Sequence, residues 1–302
     1  CNLCGADDPE PLYEGLSIVR CRRCGLVYAT PQPGDAALAS LYADAYFTER
    51  SHPGEPAYVE NRAGLERFFD DRLRRLERFV PPGRLLEVGS NLGYLLNAAG
   101  RRGWQAVGLE LSEFAVRYAR EHFAVDIRGQ ALEDAGFEQA AFDAVVMRDV
   151  LEHVRDPRAT LAETHRVLRA GGVLALSAPN FASLDARLGG PAWRHLHPEQ
   201  HLYHFAPDTL GRLLRESGYE VVEMTSRYDS PAAREVYAAL DDPALRRRLA
   251  CHGAARGDIV FLPLGSSLRR VLRAAAIVLS VVVGPVRNRL RDDILEVHAR
   301  KA

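Results

Sequence analysis

The stretch Arg84-Leu85-Leu86-Glu87-Val88-Gly89-Ser90-Asn91-Leu92-Gly93 decides the fold. Arg84–Val88 reads as a strand and Leu92–Arg102 as a helix, so the glycines fall on the turn between them. Gly89 and Gly93 let the backbone approach a ligand closely at the carboxyl edge of a sheet. The N-terminus of the helix that follows is suited to a carboxylate. A GxxxG turn is also what a plain tight turn looks like, so the next strand matters. Trp104–Glu110 ends on an acid, 21 residues after Gly89. A carboxylate there can accept hydrogen bonds from both hydroxyls of a ribose. The plainer reading is a solvated acid at a strand end.

Outward from this unit the pattern repeats. Glu113–His122 reads as a helix, Val125–Arg128 and Phe142–Arg148 as strands, and Pro157–Leu168 as a helix. Gly171-Gly172 turns into strand Val173–Ala178. Helix Pro207–Ser217, strand Tyr219–Arg227 and a last strand Ile294–Arg300 follow. Alternating βα units predict an α/β, Rossmann-like doubly wound parallel sheet. The core spans 84–227 and regains its terminal strand in 292–302, with 228–291 as a helical insertion. Upstream, 31–83 reads as a helical lid or linker, with apolar residues at helical spacing over Tyr58–Phe79 and Pro81-Pro82-Gly83 as the stop.

Residues 1–30 form a separate module. Cys1, Cys4, Cys21 and Cys24 make two CxxC pairs, each followed by Gly, with a short hairpin expected over Leu12–Val19. Four thiolates satisfy tetrahedral Zn²⁺ completely, so the site is structural and closed to catalysis. Unligated or redox-active thiols are the alternative. Metal ligation in place of disulfides implies a reducing compartment, hence the cytoplasm.

Charge bounds the partners. Thirty-nine basic and 40 acidic residues give a formal net charge of −1, so no nucleic-acid partner is expected. Ala274–Val286 is a 13-residue apolar run flanked by arginines, shorter than the ~20 residues a spanning helix needs. It reads as a buried or dimer-forming helix. The alternative is peripheral membrane contact through residues 264–290, at the inner face.

His195, His197, His201 and His204 crowd into ten residues after the strand Val173–Ala178, where open sheets gather ligands. Imidazole titrates near neutrality, and His201 is the candidate general base. A second metal site is an alternative, though the spacing matches no zinc pattern. His153, in Asp149-Val150-Leu151-Glu152-His153, is a second catalytic candidate just past the strand Phe142–Arg148. Tyr46 and Tyr58 precede the core and read as packing residues or substrate contacts.

The runs EVGSNLG (87–93), GLELS (108–112), FDAVVMRDVLEHVRDP (142–157) and VLRAGGVLALSAPN (167–180) together resemble the class I S-adenosylmethionine-dependent methyltransferases. Asn91 stands where that family usually has the middle glycine, a residue that still tolerates unusual backbone angles. The G-x-x-x-G spacing separates the motif from the G-x-G-x-x-G of dinucleotide binders. The resemblance implies a seven-stranded sheet whose last strand is antiparallel. It implies that Glu87, Gly89, Asn91 and Gly93 surround the methionine moiety and that Glu110 holds the ribose. Ala131, Leu132 and Glu133 flank the adenine, and Arg148 with Asp149 borders the sulfonium.

With the four-cysteine module, Cys24–Tyr28, Pro31-Gln32-Pro33, Leu41-Tyr42 and His197–Phe205, the chain is similar to a narrower group. This is the bacterial zinc-containing group that includes sugar C-methyltransferases. There an adjacent Glu-His pair abstracts a proton. Here Gln200 replaces the Glu, which weakens the case for carbon as the methylated atom. The acceptor implied is a small molecule, such as a sugar, nucleotide-sugar or natural-product intermediate. The alternatives are an RNA or protein acceptor recognised by the zinc module, or a lipid- or quinone-type hydroxyl at a membrane surface.

Overall fold

In the computed structural model, residues 1–34, 37–38, 44–48, 58–227 and 293–302 are described. The expected insertion 228–291, with its apolar run, lies outside them. So does most of the stretch that holds Leu41-Tyr42. Among the described residues no helix is long and apolar enough to cross a membrane.

The core is a seven-stranded sheet. In chain order its strands are β4 (Arg84–Val88), β5 (Gln105–Leu109), β6 (Asp126–Arg128), β7 (Phe142–Arg148), β8 (Leu168–Pro179), β10 (Tyr219–Arg227) and β11 (Ile294–Lys301). Their spatial order is β10-β11-β8-β7-β4-β5-β6, with β11 antiparallel to both neighbours. The remaining pairs are parallel. The strand order reverses between β4 and β7, so the crevice for a ligand opens at the carboxyl ends of those two strands. Strands buried on both faces need continuous apolar runs, and β7 supplies one in Ala144, Val145, Val146 and Met147.

Helix boundaries depart from expectation for local reasons. The helix after β4 starts at Tyr94 rather than Leu92, because Gly93 stands at its N-cap with φ of +79°. The helix before β4 covers Arg62–Leu76, after a 3₁₀ turn at Tyr58–Glu60. It ends before the prolines because Glu77–Val80 closes in turns onto Leu73, Arg75 and Leu76 carbonyls. β8 begins at Leu168, not Val173, since helix Pro157–Val167 runs straight into it.

The N-terminal hairpin pairs β1 (Pro9–Pro11) with β2 (Ile18–Cys21), and Leu12–Ser17 makes the turn. β3 (Val27–Ala29) continues this small sheet. Its fourth strand, β9 (Tyr203–His204), comes from the histidine-rich segment after β8. The sequence offers no periodicity for a strand of two residues. Leu3 and Leu26 of the module pack into the same core cluster as Leu86, Val145, Leu176 and Leu202.

Candidate active site

The loop after β4 is built by three residues with left-handed backbone: Gly89, Asn91 and Gly93, with φ of +74°, +49° and +79°. Asn91 holds this strained conformation by accepting the Leu92 N–H on its own Oδ1, 2.7 Å away. Glu110, at the end of β5, reaches across to the loop. Its Oε2 accepts the Asn91 N–H at 2.8 Å and its Oε1 accepts the Ser112 N–H at 2.9 Å. Each oxygen keeps a second lone pair, so the carboxylate is oriented and can still accept hydroxyls. Glu87 is buried, with 3% exposure, and its Oε2 has no hydrogen-bond partner. Burial pushes its carboxyl well above the usual value, against the pull of Arg148. A buried carboxyl with one oxygen unpartnered, beneath a left-handed glycine loop, suits a ligand that brings an ammonium group. The methionine end of S-adenosylmethionine is such a group, and the residues present fit it.

Other expected contacts fall differently. The Leu132 side chain belongs to the core, which leaves only its backbone for a nucleobase. Glu133 is exposed and accepts from the Thr160 hydroxyl at 2.9 Å. Arg148 turns toward helix Arg62–Leu76, stacks over Phe68 at 5.0 Å and lies 3.8 Å from Glu296 of β11. Its charge therefore joins an arginine–glutamate network, while it also acts on the buried Glu87 carboxyl. The neighbouring Asp149 has φ of +51° and accepts from Ser177 Oγ at 2.9 Å, with its side chain exposed at the sheet edge.

The two catalytic candidates come together: the rings of His153 and His201 are 4.7 Å apart. His153 Nδ1 lies 2.9 Å from Gln200 O, and His201 Nδ1 lies 2.7 Å from His195 O. A carbonyl only accepts, so Nδ1 of each ring carries a proton and Nε2 carries the lone pair. Burial lowers both imidazoles below their ordinary value, His201 the more. The other histidines divide. His204 is sealed between Phe181 and Trp193 and pushed down to about 3 by burial. His197 is half exposed beside Glu199. Glu152 carries no sequence signal beyond its place next to His153. It is 1% exposed, and neither side-chain oxygen has a hydrogen-bond partner. Its backbone carbonyl accepts the Leu202 and Tyr203 N–H groups, which fixes the histidine segment against the end of β7.

The four N-terminal cysteines also converge. Cys1 and Cys24 sulfurs are 3.5 Å apart, those of Cys4 and Cys21 are 3.6 Å apart, and all four lie within 4.8 Å of one another. Thiolates on a tetrahedral zinc at ~2.3 Å stand about 3.8 Å from each other, so the set fits that ion.

Comparison with known proteins agrees with this architecture. The model of a methyltransferase domain family matches residues 58–224. A "Ubiquinone biosynthesis O-methyltransferase" of Xanthomonas axonopodis pv. citri is 33% identical over 209 residues, covering 65% of this chain and 82% of the relative. The protein of that name from Xanthomonas campestris pv. campestris (strain B100) is 39% identical over 151 residues, 48% of this chain and 59% of its own length. Among solved structures, an S-adenosylmethionine-dependent methyltransferase from Archaeoglobus fulgidus shares the fold with a TM-score of 0.52 at 16% identity, covering 81% of this chain and 98% of that one.

Proposed function

Since the chain belongs to the class I S-adenosylmethionine-dependent methyltransferase family, we propose that it transfers the methyl group to a hydroxyl of a small-molecule acceptor. The observation that carries this reading is the His153–His201 pair, 4.7 Å between rings, at the carboxyl edge of β7. Two relatives named as O-methyltransferases support oxygen as the atom. Gln200 beside His201, where a carbon-methylating site has Glu, supports it too. The sugar acceptor finds no support in those relatives, and a phenolic or quinol-type hydroxyl suits them better.

The donor brings an electrophilic methyl sulfonium. Glu87 takes its ammonium and Glu110 its ribose hydroxyls. The backbone of Gly89, Asn91 and Gly93 would line the methionine chain, and the backbone near Leu132 would border the adenine. Asp149, His153 and His201 stand at the neighbouring sheet edge, where they would meet an acceptor brought to the donor's methyl group. Those residues hold the acceptor in line and handle its proton, and positioning supplies most of the acceleration. Zn²⁺ on Cys1, Cys4, Cys21 and Cys24 is structural, a reading supported by the sulfur spacing. Formal charge near zero favours a small acceptor over nucleic acid. Membrane contact through 264–290 falls on residues outside the described ones.

The test incubates the full chain with labelled S-adenosylmethionine and a panel of catechols, quinols and nucleotide sugars. A methyl ether located by mass spectrometry is the expected product. Methyl on carbon or on a macromolecule, or absence of donor binding by calorimetry, overturns the reading.

A further inference from the structure

We propose that the arginine cluster at the carboxyl edge of the large sheet, with Arg148 at its centre, binds an oxyanion carried by the methyl acceptor. The acceptor is then a hydroxyl compound that also bears a carboxylate or a phosphate ester. This deepens the O-methylation reading above and rests on it.

Register places the cluster beside the acceptor. Arg148 of β7 stands opposite Ser177 of β8, Ser177 opposite Glu296 of β11, and Glu296 opposite Thr225 of β10. These four residues make one row across the sheet, a single residue short of Asp149, and the Ser177 hydroxyl bonds the Asp149 carboxylate at 2.9 Å. Arg227 lies two residues beyond Thr225, on the same face of β10. Arg72 and Arg75 come down onto this row from the helix Arg62–Leu76.

Three observations favour a bound anion over a closed network. The first is crowding at the carboxylate. Arg72 and Arg227 already stand at Glu296 Oε1, at 2.8 and 2.9 Å, and Arg75 at Oε2, at 2.9 Å, which leaves Arg148 3.8 Å from Oε1. The other acids of the cluster serve other arginines: Glu223 pairs with Arg75, and the exposed Asp71 with Arg72. The second is the state of Arg148 itself. Its Nη2 is buried without a hydrogen-bond partner among the described residues, and its guanidinium rests on the Phe68 ring at 5.0 Å. A buried cation placed so is costly until an anion meets it. The third is space. A cavity of about 20 Å³ is lined by Arg72, Arg148, Glu296 and His298, with Leu73 and Val146 beside them. That volume admits a water or two, or the oxygens of one small group. Guanidinium N–H groups match the paired oxygens of a carboxylate or a phosphate, and a neutral ring supplies no such acceptor.

The test uses the full, zinc-loaded chain saturated with the demethylated donor, S-adenosylhomocysteine, so that the donor's own carboxylate is already in place. Saturation-transfer NMR then compares benzoate and phenyl phosphate with neutral benzamide. At least one oxyanion should bind tenfold or more tighter than benzamide, and the difference should shrink as salt rises. The tighter of the two decides between carboxylate and phosphate. Arg148→Gln should weaken that oxyanion at least tenfold and keep S-adenosylhomocysteine affinity within about threefold. The oxyanion should raise the melting temperature of the natural protein and leave that of Arg148→Gln unmoved, which separates a lost contact from lost folding. In turnover, a catechol bearing the preferred group should exceed plain catechol at least tenfold in kcat/KM, chiefly through KM, and Arg148→Gln should erase the preference. Benzamide binding as well as both oxyanions, or equal oxyanion binding by natural protein and variant, overturns the site. S-adenosylhomocysteine affinity falling in step with oxyanion affinity overturns it too, since Arg148 then serves the donor. Methyl found on carbon sinks the O-methylation reading instead, and the NMR comparison still decides the site.

Discussion

A Cβ at position 89 would lie 2.5 Å from Val150 Cγ2, on a backbone held at φ of +74°. Gly89→Ala therefore meets two separate penalties, a left-handed backbone worth about 1–2 kcal/mol and an overpacking cost of about 1–3 kcal/mol. In a Val150→Ala background only the second should vanish. Urea unfolding of the double-mutant cycle tests this, and an undiminished cost in that background contradicts the steric account. Glu87 behaves oppositely, because burial raises its folded-state pKa above the unfolded one. Its contribution to stability is present below the unfolded value of about 4.3 and is lost as pH rises through the folded value. Glu87→Gln should then melt higher than the natural protein at pH 8 without donor, with the gap closing toward pH 4. Its donor affinity should fall tenfold or more, read by calorimetry. A variant melting lower at pH 8 would show that the carboxylate is not the burden described. The glycine turn and Glu110 are legible from local spacing, and Glu87 enters only through the family resemblance. Glu152 is legible in neither way, since its burial depends on how the later segment 200–203 closes over it.

Arg72 and Arg75 of the helix Arg62–Leu76 converge with Arg148 of β7 and Arg227 of β10 on Glu296 of β11. Arg72, Arg75 and Arg227 ion-pair at 2.8, 2.9 and 2.9 Å, with Arg148 at 3.8 Å. Phe68 lies under three of these guanidiniums at 4.7–5.0 Å. The cluster ties the antiparallel strand β11 to the helix covering it. Burial pushes the Glu296 carboxyl up, but Arg148, Arg72, Arg227 and Arg75 outweigh it and hold the group below the ordinary carboxylate range. A depressed folded pKa gives stability that is present above the unfolded value and lost as pH falls through the folded one. Glu296→Gln should cost about 3–5 kcal/mol at neutral pH by leaving buried arginines uncompensated. The difference from the natural protein should shrink below about pH 4. Thermal melts from pH 7 to 3 read both, and a pH-independent difference would mean the loss is packing rather than charge. Strands such as Phe142–Arg148 and Tyr219–Arg227 were readable end to end from their residue pattern. The arginine cluster was not, because its members come from four elements spread along the chain and meet only after the sheet forms.

The N-terminal four cysteines read as a separate module in the sequence, yet the folded chain joins them to the histidine-rich segment. β3 pairs Val27 with His204 and Tyr28 with Tyr203, and Ala29 N–H donates to Leu202 O at 2.9 Å. Arg158, near the start of helix Pro157–Val167, donates to the Asn2 carbonyl at 2.7 Å and also to that of Leu3. The segment carrying His201 is thus held between the module and Glu152, whereas Glu87 and Glu110 sit on or just after strands of the large sheet and Gly89 in the loop that Glu110 grips. Opening the cysteine cluster should loosen the first set and spare the second. Cys4→Ser is the suitable variant, because it removes one sulfur of the cluster and leaves the large sheet's residues unchanged. The expected result is faster amide hydrogen exchange at Leu202 and Tyr203, with donor affinity within about threefold of the natural value. Methyl transfer should drop more than tenfold, since a small misplacement at the acceptor is costly to rate. If the module unfolds while exchange at Leu202 and Tyr203 stays slow, the small sheet is an appendage and the link from zinc to acceptor is wrong. If donor affinity falls in step with turnover, the cysteines support the whole crevice rather than its acceptor side.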